Sequence, residues 1–338
     1  MPEIRGTRTT MPVPSNPYPV RSSFALCTGK LALVGAITCS AWGQQPPAGT
    51  GPGFGSFGSA AAEVTGESLV RTELLPATAL LEAGKPFRIA VVFRVQRPWH
   101  LYWKNPGDSG GPPSIRLELP PGFTAGPLEF PTPKVMESHG EVAIGYEGDI
   151  ACFLTITPPE SLDGVNSPLT LTAALSWMVC TDRCLLGKRT VAMTLPAVET
   201  PIEVAPEIAA LRAIMPMAAN DLKIECRLEG GEGAHALVIT GPAITGSTVR
   251  FLPEITPGVG YGASLPAPVQ ASAGRFELRI PLMVRPENSL GMPLRAAGLV
   301  TISTPRDGTA LGEDTNSAEI ALPLNPPNPS APRPVAPH

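Results

Sequence analysis

The sequence is poor in aromatic and charged residues, and it lacks several patterns that would assign it to a functional class. Aromatic residues make up 5% and charged residues 16% of its 338 residues. No cluster of basic residues is present, which argues against nucleic acid as a partner. The histidines show no metal-ligand spacing among themselves, so no metal site is predicted. No P-loop, dinucleotide fingerprint or hydrolase elbow stands in a suitable context, and no cofactor is expected.

Long apolar runs are also missing, except for a short one near the N-terminus. Arg21 and Lys30 supply positive charge, residues 31–38 form an apolar core, and Ala41 and Gly43 are small residues at the two positions that a signal peptidase reads. This pattern predicts a signal peptide over residues 1–43, cleaved near Gly43, and export to the periplasm.

A lipoprotein anchor at Cys39 is the less favoured alternative, because Thr38 fits a lipobox poorly. Nothing later in the chain is long and apolar enough for a membrane helix, so no stable membrane insertion is expected. Residues 1–43 hold four of the 25 basic residues and one of the 29 acidic residues. The predicted mature chain therefore has 21 basic and 28 acidic residues and a net charge of −7.

Proline and glycine are abundant, with 42 and 34 copies, and they divide the chain into short segments. Residues 44–62 are predicted to be a Gly/Pro-rich linker and residues 323–338 a Pro-rich tail. Between them we predict a first β-sandwich over residues 63–198, a helical connector over residues 199–218 and a second sandwich-like domain over residues 219–322.

Short β-rich runs bounded by turn residues support this all-β assignment. In the first region they cover residues 69–75, 87–95, 115–119, 150–156, 169–179 and 190–195. In the second they cover residues 236–239, 248–252, 275–280, 297–303 and 318–322. Residues 206–215 are the one convincing helix, with Pro and Glu in the first turn and a stop at Pro216. The fold class is therefore an antiparallel sandwich, a short helix and a second sandwich.

The most informative motif is the pair formed by Cys180 and Cys184, which three residues separate. An apolar run leads into the pair and a second alternating run follows Gly187, which predicts two strands joined by a tight connection. A disulfide that closes so small a ring would restrain the unfolded chain little, so a structural role gains little from this spacing. A redox role is favoured over a structural bridge or a metal clip.

Two further cysteines remain in the predicted mature chain. Cys152 lies in an apolar strand pattern, where a buried free thiol is the simplest interpretation, and Cys226 has a similar setting. A Cys152–Cys226 disulfide is the alternative. Lys104, Asn105 and Asp108 could look catalytic, but the Pro and Gly residues around them favour a turn. Trp99, Trp103 and Trp177 are interpreted as core residues.

Residues 99–196 also resemble a known family. The resemblance rests on the Trp-rich segment 99–113, Leu-Pro-Pro-Gly-Phe at 119–123, Gly-Tyr-Glu-Gly at 145–148 and Trp-Met-Val-Cys-x-x-x-Cys at 177–184. In this order, the motifs resemble the N-terminal periplasmic domain of the DsbD/ScsB thiol–disulfide interchange proteins. The resemblance implies an immunoglobulin-like sandwich, with links to cytochrome c biogenesis and copper tolerance.

By the same resemblance, Cys180 and Cys184 are the redox-active pair. Residues 134–139 fall where the family has a loop that covers the pair, which makes Met136 a candidate cover, and Tyr146 and Trp177 are candidate neighbours. The family usually continues into a membrane domain and a thioredoxin-like domain. Because this sequence ends in a Pro-rich tail, a separate chain is the expected electron donor.

The predicted function is therefore a periplasmic relay of electrons, with enzyme activity as a protein-disulfide reductase. A membrane-embedded thiol reductase would supply the electrons, and thioredoxin-like or disulfide-isomerase proteins would receive them. Two alternatives stay open. The cysteines could bind Cu(I) as soft ligands, with Met136 or Met178 as a further ligand. Alternatively, the chain could be a non-enzymatic binding or scaffold protein with a structural disulfide.

Overall fold

The structure is a computed structural model that describes residues 63–324, apart from 139, 166–167, 197–199, 232–233, 264, 286–287, 289–292 and 306–312. Several predicted segments lie outside the described residues: the signal peptide with Cys39, the whole 44–62 linker, His139 and residues 325–338 of the tail. No helix in the described part of the chain has the length and apolar character needed to cross a bilayer.

The first sandwich packs a four-stranded sheet against a six-stranded sheet. The four-stranded sheet has the order β1 (Val70–Pro76), β2 (Phe87–Val95), β8 (Asp149–Thr157) and β5 (Thr124–Ala125). The six-stranded sheet has the order β10 (Cys184–Leu195), β9 (Leu169–Cys180), β3 (His100–Gly107), β7 (Glu141–Glu147) and β6 (Lys134–Ser138), and β4 (Ser114–Glu118) also pairs with β9. All of the pairings within these two sheets are antiparallel.

Alternation along β9 explains how the six-stranded sheet has a buried and an outer face. Leu171, Leu175, Trp177 and Val179 belong to the core between the sheets. Because successive strand residues point to opposite faces, Met178 and the intervening polar residues lie on the outer face. The sheet therefore buries one face and leaves the other for contacts outside the core.

Two short helices accompany this sandwich. The helix α1 (Gly66–Leu69) precedes β1 and lies against β10, where the Lys188 amide donates to Glu67 Oε1 at 2.7 Å. The helix α2 (Glu207–Ala213) covers the outer face of the four-stranded sheet, where Ile208 is buried. Arg94 of β2 connects α2 to the sheet through an ion pair with Glu207 at 2.7 Å, and the same guanidinium group pairs with Glu73 of β1 at 3.1 Å.

The second sandwich also has two sheets. One has the order β11 (Met217–Ala218), β19 (Glu313–Pro323), β18 (Arg295–Pro305), β14 (Thr248–Pro253) and β16 (Val269–Gln270). The other has the order β12 (Glu225–Gly231), β13 (Ala234–Pro242), β17 (Arg275–Val284) and β15 (Val259–Gly260). Residues from both sheets form a second core cluster. The all-β fold class predicted from the sequence is confirmed.

The two sandwiches contact each other at the far end of β3. Lys104 Nζ lies 2.6 Å from Glu254 Oε1 and 2.8 Å from Glu319 Oε1. Asn105 Nδ2 donates to the Pro253 carbonyl at 2.8 Å. Leu252 and Leu299 of the second sandwich also join the core cluster of the first. Lys104 and Asn105, which could look catalytic from the sequence, therefore contact the second sandwich.

The structure corrects two details of the sequence analysis. The Trp-rich segment is a strand, β3, through Gly107, although Gly107 and Gly110 do have positive φ values of 91° and 96°. Residues 134–138 are the strand β6 and not a loop, because they pair with β7 along their whole length. The expected core positions of Trp103 and Trp177 are confirmed, at 1% and 2% exposure.

Candidate functional site

Cys180 and Cys184 form a disulfide bond across the tip of the β9–β10 hairpin. Cys180 is the last residue of β9, Cys184 is the first of β10, and the two are direct partners in the ladder, with Cα atoms 4.2 Å apart. The Thr181 amide donates to the Arg183 carbonyl at 3.1 Å within the connecting loop. The strand register alone therefore brings the two sulfurs together.

The two cysteines differ in exposure. Cys180 is 1% exposed, whereas Cys184 is exposed to solvent. Cys180 also has a ladder partner on its other side, His100 of β3, so strands flank it on both edges. A thiolate must approach the sulfur that it attacks. An incoming partner can therefore reach Cys184 first, while Cys180 is the sulfur that leaves into a protected position.

An aromatic pair from β3 lies beside the disulfide. The Tyr102 hydroxyl is 3.8 Å from Cys184 Sγ, and the Tyr102 ring meets the His100 ring edge to face with centroids 5.1 Å apart. Tyr102 is 2% exposed, because the backbone at Gly110 lies on its ring. A Cβ at Gly110 would come within 2.3 Å of the ring, and the φ of +96° also favours glycine there.

Burial disfavours the charged form of both of these polar aromatic groups. It raises the pKa of Tyr102, although a hydrogen bond with Ser109 acts in the opposite direction. It lowers the pKa of His100, opposed by the charge of Glu147. The Tyr102 hydroxyl thus keeps its proton and can donate a hydrogen bond to a sulfur anion at Cys184. His100 Nε2 is buried and has no hydrogen-bond partner among the described residues.

The other two cysteines are free and poorly suited to exchange. Cys152 is buried in the first core, and Cys226 is half-buried against the second. Burial raises the pKa of the Cys152 thiol far above its ordinary range and that of Cys226 to about 11. Because the thiolate is the nucleophile, neither is activated at neutral pH. The alternative Cys152–Cys226 disulfide is not formed.

The remaining predicted site residues lie away from the disulfide. Tyr146 is 3% exposed, and its hydroxyl donates to the Pro131 carbonyl at 2.8 Å, on the core side of the sheet. Trp177 is also on the core side, and its Nε1 donates to the Gly66 carbonyl at 3.3 Å. Met136 is half-buried on β6, which β7 and β3 separate from β9. At about 4.8 Å per strand, that is roughly 14 Å from the strand of Cys180.

Sequence reasoning thus predicted the pairing of Cys180 with Cys184, which the structure contains as a disulfide, but it did not predict the aromatic groups beside the pair. His100 and Tyr102 stand two residues apart, so strand alternation in this segment would have placed both on one face. Within the described residues, no group of three or more His, Cys, Asp and Glu side chains is arranged to hold a metal ion.

Comparison with known proteins gives one family match and several distant structural likenesses. The family model described as the N-terminal domain of thiol:disulfide interchange protein DsbD matches residues 70–196. The N-terminal periplasmic domain of ScsB from Proteus mirabilis is similar at 15% identity and a TM-score of 0.48, covering 76% of this chain and 93% of that one. The major pilin subunit BcpA of Bacillus cereus gives 7% identity and a TM-score of 0.18, with 76% and 66% covered. No curated protein sequence matches the chain significantly.

Proposed function

We propose that the chain is a periplasmic thiol–disulfide interchange protein whose redox centre is Cys180–Cys184, because residues 70–196 match the model of the DsbD N-terminal family. The observation that carries the proposal is the disulfide at the hairpin tip, with one sulfur exposed and the other buried. Export through the predicted signal peptide would place this disulfide in an oxidising compartment.

The proposed cycle has two exchanges, each of which moves two electrons. A donor thiolate attacks Cys184 Sγ, the Cys180–Cys184 bond breaks, and a mixed disulfide forms between Cys184 and the donor. The donor's second thiol resolves it, so that the donor becomes a disulfide and this chain a dithiol. In the second exchange, the Cys184 thiolate attacks an acceptor disulfide and Cys180 resolves the product, which returns this chain to its disulfide and releases a reduced acceptor.

Tyr102 has a defined part in this cycle. Its hydroxyl, 3.8 Å from Cys184 Sγ, can donate a hydrogen bond to the Cys184 thiolate, which is released when the donor's second thiol resolves the mixed disulfide. Hydrogen bonds to charged groups are stronger than those between neutral groups. Tyr102 therefore favours Cys184 as the sulfur that carries the charge, in agreement with its greater exposure.

The family implies the partners. Electrons would come from a membrane-embedded thiol reductase and pass to periplasmic thioredoxin-like or disulfide-isomerase proteins, so the chain would act as a protein-disulfide reductase. The acceptor can be sought by trapping. In a Cys180→Ser variant, the mixed disulfide at Cys184 lacks its resolving thiol and should accumulate, whereas a Cys184→Ser variant leaves only the buried sulfur and should trap little.

The decisive measurement is the reduction potential of the disulfide. The protein, carrying Cys152→Ala and Cys226→Ala so that only the pair reports, is equilibrated in glutathione buffers and its free thiols are trapped. We expect a potential within the range of exchange proteins, about −120 to −270 mV. A bond that stays closed below about −300 mV would identify a structural disulfide and refute the proposal.

A further inference from the structure

The outer face of the β9–β10 hairpin changes character next to the disulfide. The ladder pair that follows Cys180–Cys184 on this face is Met178–Leu186. The four pairs farther from the loop combine only Ser, Thr, Ala and Lys side chains. The apolar side chains of this face of the hairpin are therefore confined, apart from alanine, to the row that adjoins the reactive sulfurs.

The polar rows and the apolar row also differ in their contacts. Ser176 Oγ lies 2.7 Å from Ser114 Oγ, and Thr170 Oγ1 lies 3.3 Å from Thr194 Oγ1, so polar side chains of this face bond to one another. Leu186, in contrast, is 66% exposed. Neither Leu186 nor Met178 belongs to a core cluster of the described residues. Folding of the sandwich therefore gives no reason for a leucine at this position.

We propose that Met178 and Leu186 form the docking surface for a redox partner protein that presents its reactive cysteine on an apolar surface. This inference rests on the proposed function. Exchange requires the partner's sulfur to bond to Cys184 Sγ, and Leu186, two residues along the same strand face, lies roughly 7 Å away. Any protein that reaches Cys184 must then cover Leu186, and an apolar partner surface gains free energy by doing so.

The occupant follows from the chemistry of the neighbouring sulfur. A second copy of this chain would bring one oxidised pair against another, and two disulfides without a thiolate do not exchange. A small thiol such as glutathione can reach the exposed Cys184 without touching much of the apolar row. A protein dithiol is the partner that needs both the sulfur and the apolar surface.

The test compares a protein reductant with a small one. Rates of reduction of the Cys180–Cys184 disulfide by reduced thioredoxin and by glutathione are measured for wild type and for Leu186→Ser. We expect the rate with thioredoxin to fall about tenfold, since an apolar contact is lost from the encounter. The rate with glutathione should change less than about twofold, because the disulfide and its neighbours are untouched.

Ile244→Ser is the matched control, because Ile244 is 67% exposed but lies in the second sandwich; both of its rates should equal those of wild type. Equal losses with both reductants in Leu186→Ser would mean that Leu186 acts on the disulfide itself and would overturn the docking surface. Unchanged rates in Leu186→Ser would also overturn the docking surface. The same conclusion would follow if the wild-type protein were a dimer that the Leu186→Ser substitution dissociates. A wild-type disulfide that neither reagent reduces would refute the proposed function, a result that does not depend on Leu186.

Discussion

Lys104 offers a test of whether the polar end of β3 is structural or catalytic. Its ammonium group contacts Glu254 Oε1 at 2.6 Å and Glu319 Oε1 at 2.8 Å, across the contact between the sandwiches. The Lys104 and Glu254 side chains are only 26% and 17% exposed. Lys104→Met keeps the length and the apolar stem of the side chain and removes the charge. It should therefore leave Glu254 without its nearest cation.

The expected loss of stability lies between two limits. Breaking a fully buried ion pair costs about 3–5 kcal/mol, and a fully exposed pair contributes about 0–1 kcal/mol. Because the pair is partly exposed and Arg295 remains 3.8 Å from Glu254, we expect about 1–2 kcal/mol for Lys104→Met. For a chain of this size the free-energy change corresponds to a fall in Tm of roughly 2–4 °C, because the entropy of unfolding grows with the number of residues.

The sign of the pH dependence also follows. Burial by itself lowers the pKa of Lys104, but Glu254 and Glu319 outweigh it, and the pKa is raised above its ordinary value of 10.5. The ion pair therefore contributes its full stability below pH 10.5 and loses it as the pH rises through the raised pKa. Between pH 6 and pH 9, the fall in Tm should accordingly be constant.

Thermal unfolding followed by circular dichroism measures this effect, with Lys134→Met as the control. Lys134 Nζ is 3.9 Å from Glu147 and its side chain is 71% exposed, so its loss should leave Tm nearly unchanged. A double mutant with Glu254→Gln should show that the two changes are not additive. An unchanged Tm for Lys104→Met, together with slower reduction of the disulfide by glutathione, would refute the structural assignment. It would indicate that Lys104 takes part in the exchange reaction.

Two further changes test the site itself. Gly187→Ala should lower the free energy of unfolding by about 1–3 kcal/mol, because its Cβ would lie 2.4 Å from the buried Trp177 ring. Chemical denaturation measures this loss, and Gly111→Ala is the control, since no atom lies within 4 Å of its Cβ. Equal stability of the two variants would contradict the packing argument. Tyr102→Phe keeps the ring and removes the donor near Cys184, so the reduced protein should react with oxidised glutathione about three- to tenfold more slowly. A rate equal to that of wild type would show that the hydroxyl does not stabilise the Cys184 thiolate.

Strong local patterns account for what the sequence predicted well. The strand β2 was predicted over residues 87–95, the bounds that it has, since a continuous apolar run between turn residues fits a strand covered on both faces. The helix α2 was predicted over residues 206–215 and spans Glu207–Ala213. The hairpin that carries the two cysteines could also be predicted, because its two strands and its short loop are consecutive in the sequence.

Elements whose stability comes from distant partners were missed. The strand β6 has no apolar alternation strong enough to predict it, and it exists because it pairs with β7. Tyr102 was not recognised at the site for a related reason. It reaches Cys184, 82 positions away in the sequence, only because β3 pairs with β9 at His100 and Cys180. Neither relation is visible in the residues next to Tyr102.

A bulge in the strand β3 explains why the sequence of this segment resembles a turn. Against β7, Tyr102 pairs with Gly145 and Gly107 pairs with Ala143, so five steps along β3 match two along β7. The extra residues bulge from the ladder, as the proline and glycine there permit. Lys104 and Asn105 lie in this bulge and bind the second sandwich. Tyr102, at its edge, lies beside the disulfide. The contact between the sandwiches therefore fixes the same strand that carries Tyr102, which gives the second sandwich a physical link to the Cys180–Cys184 disulfide.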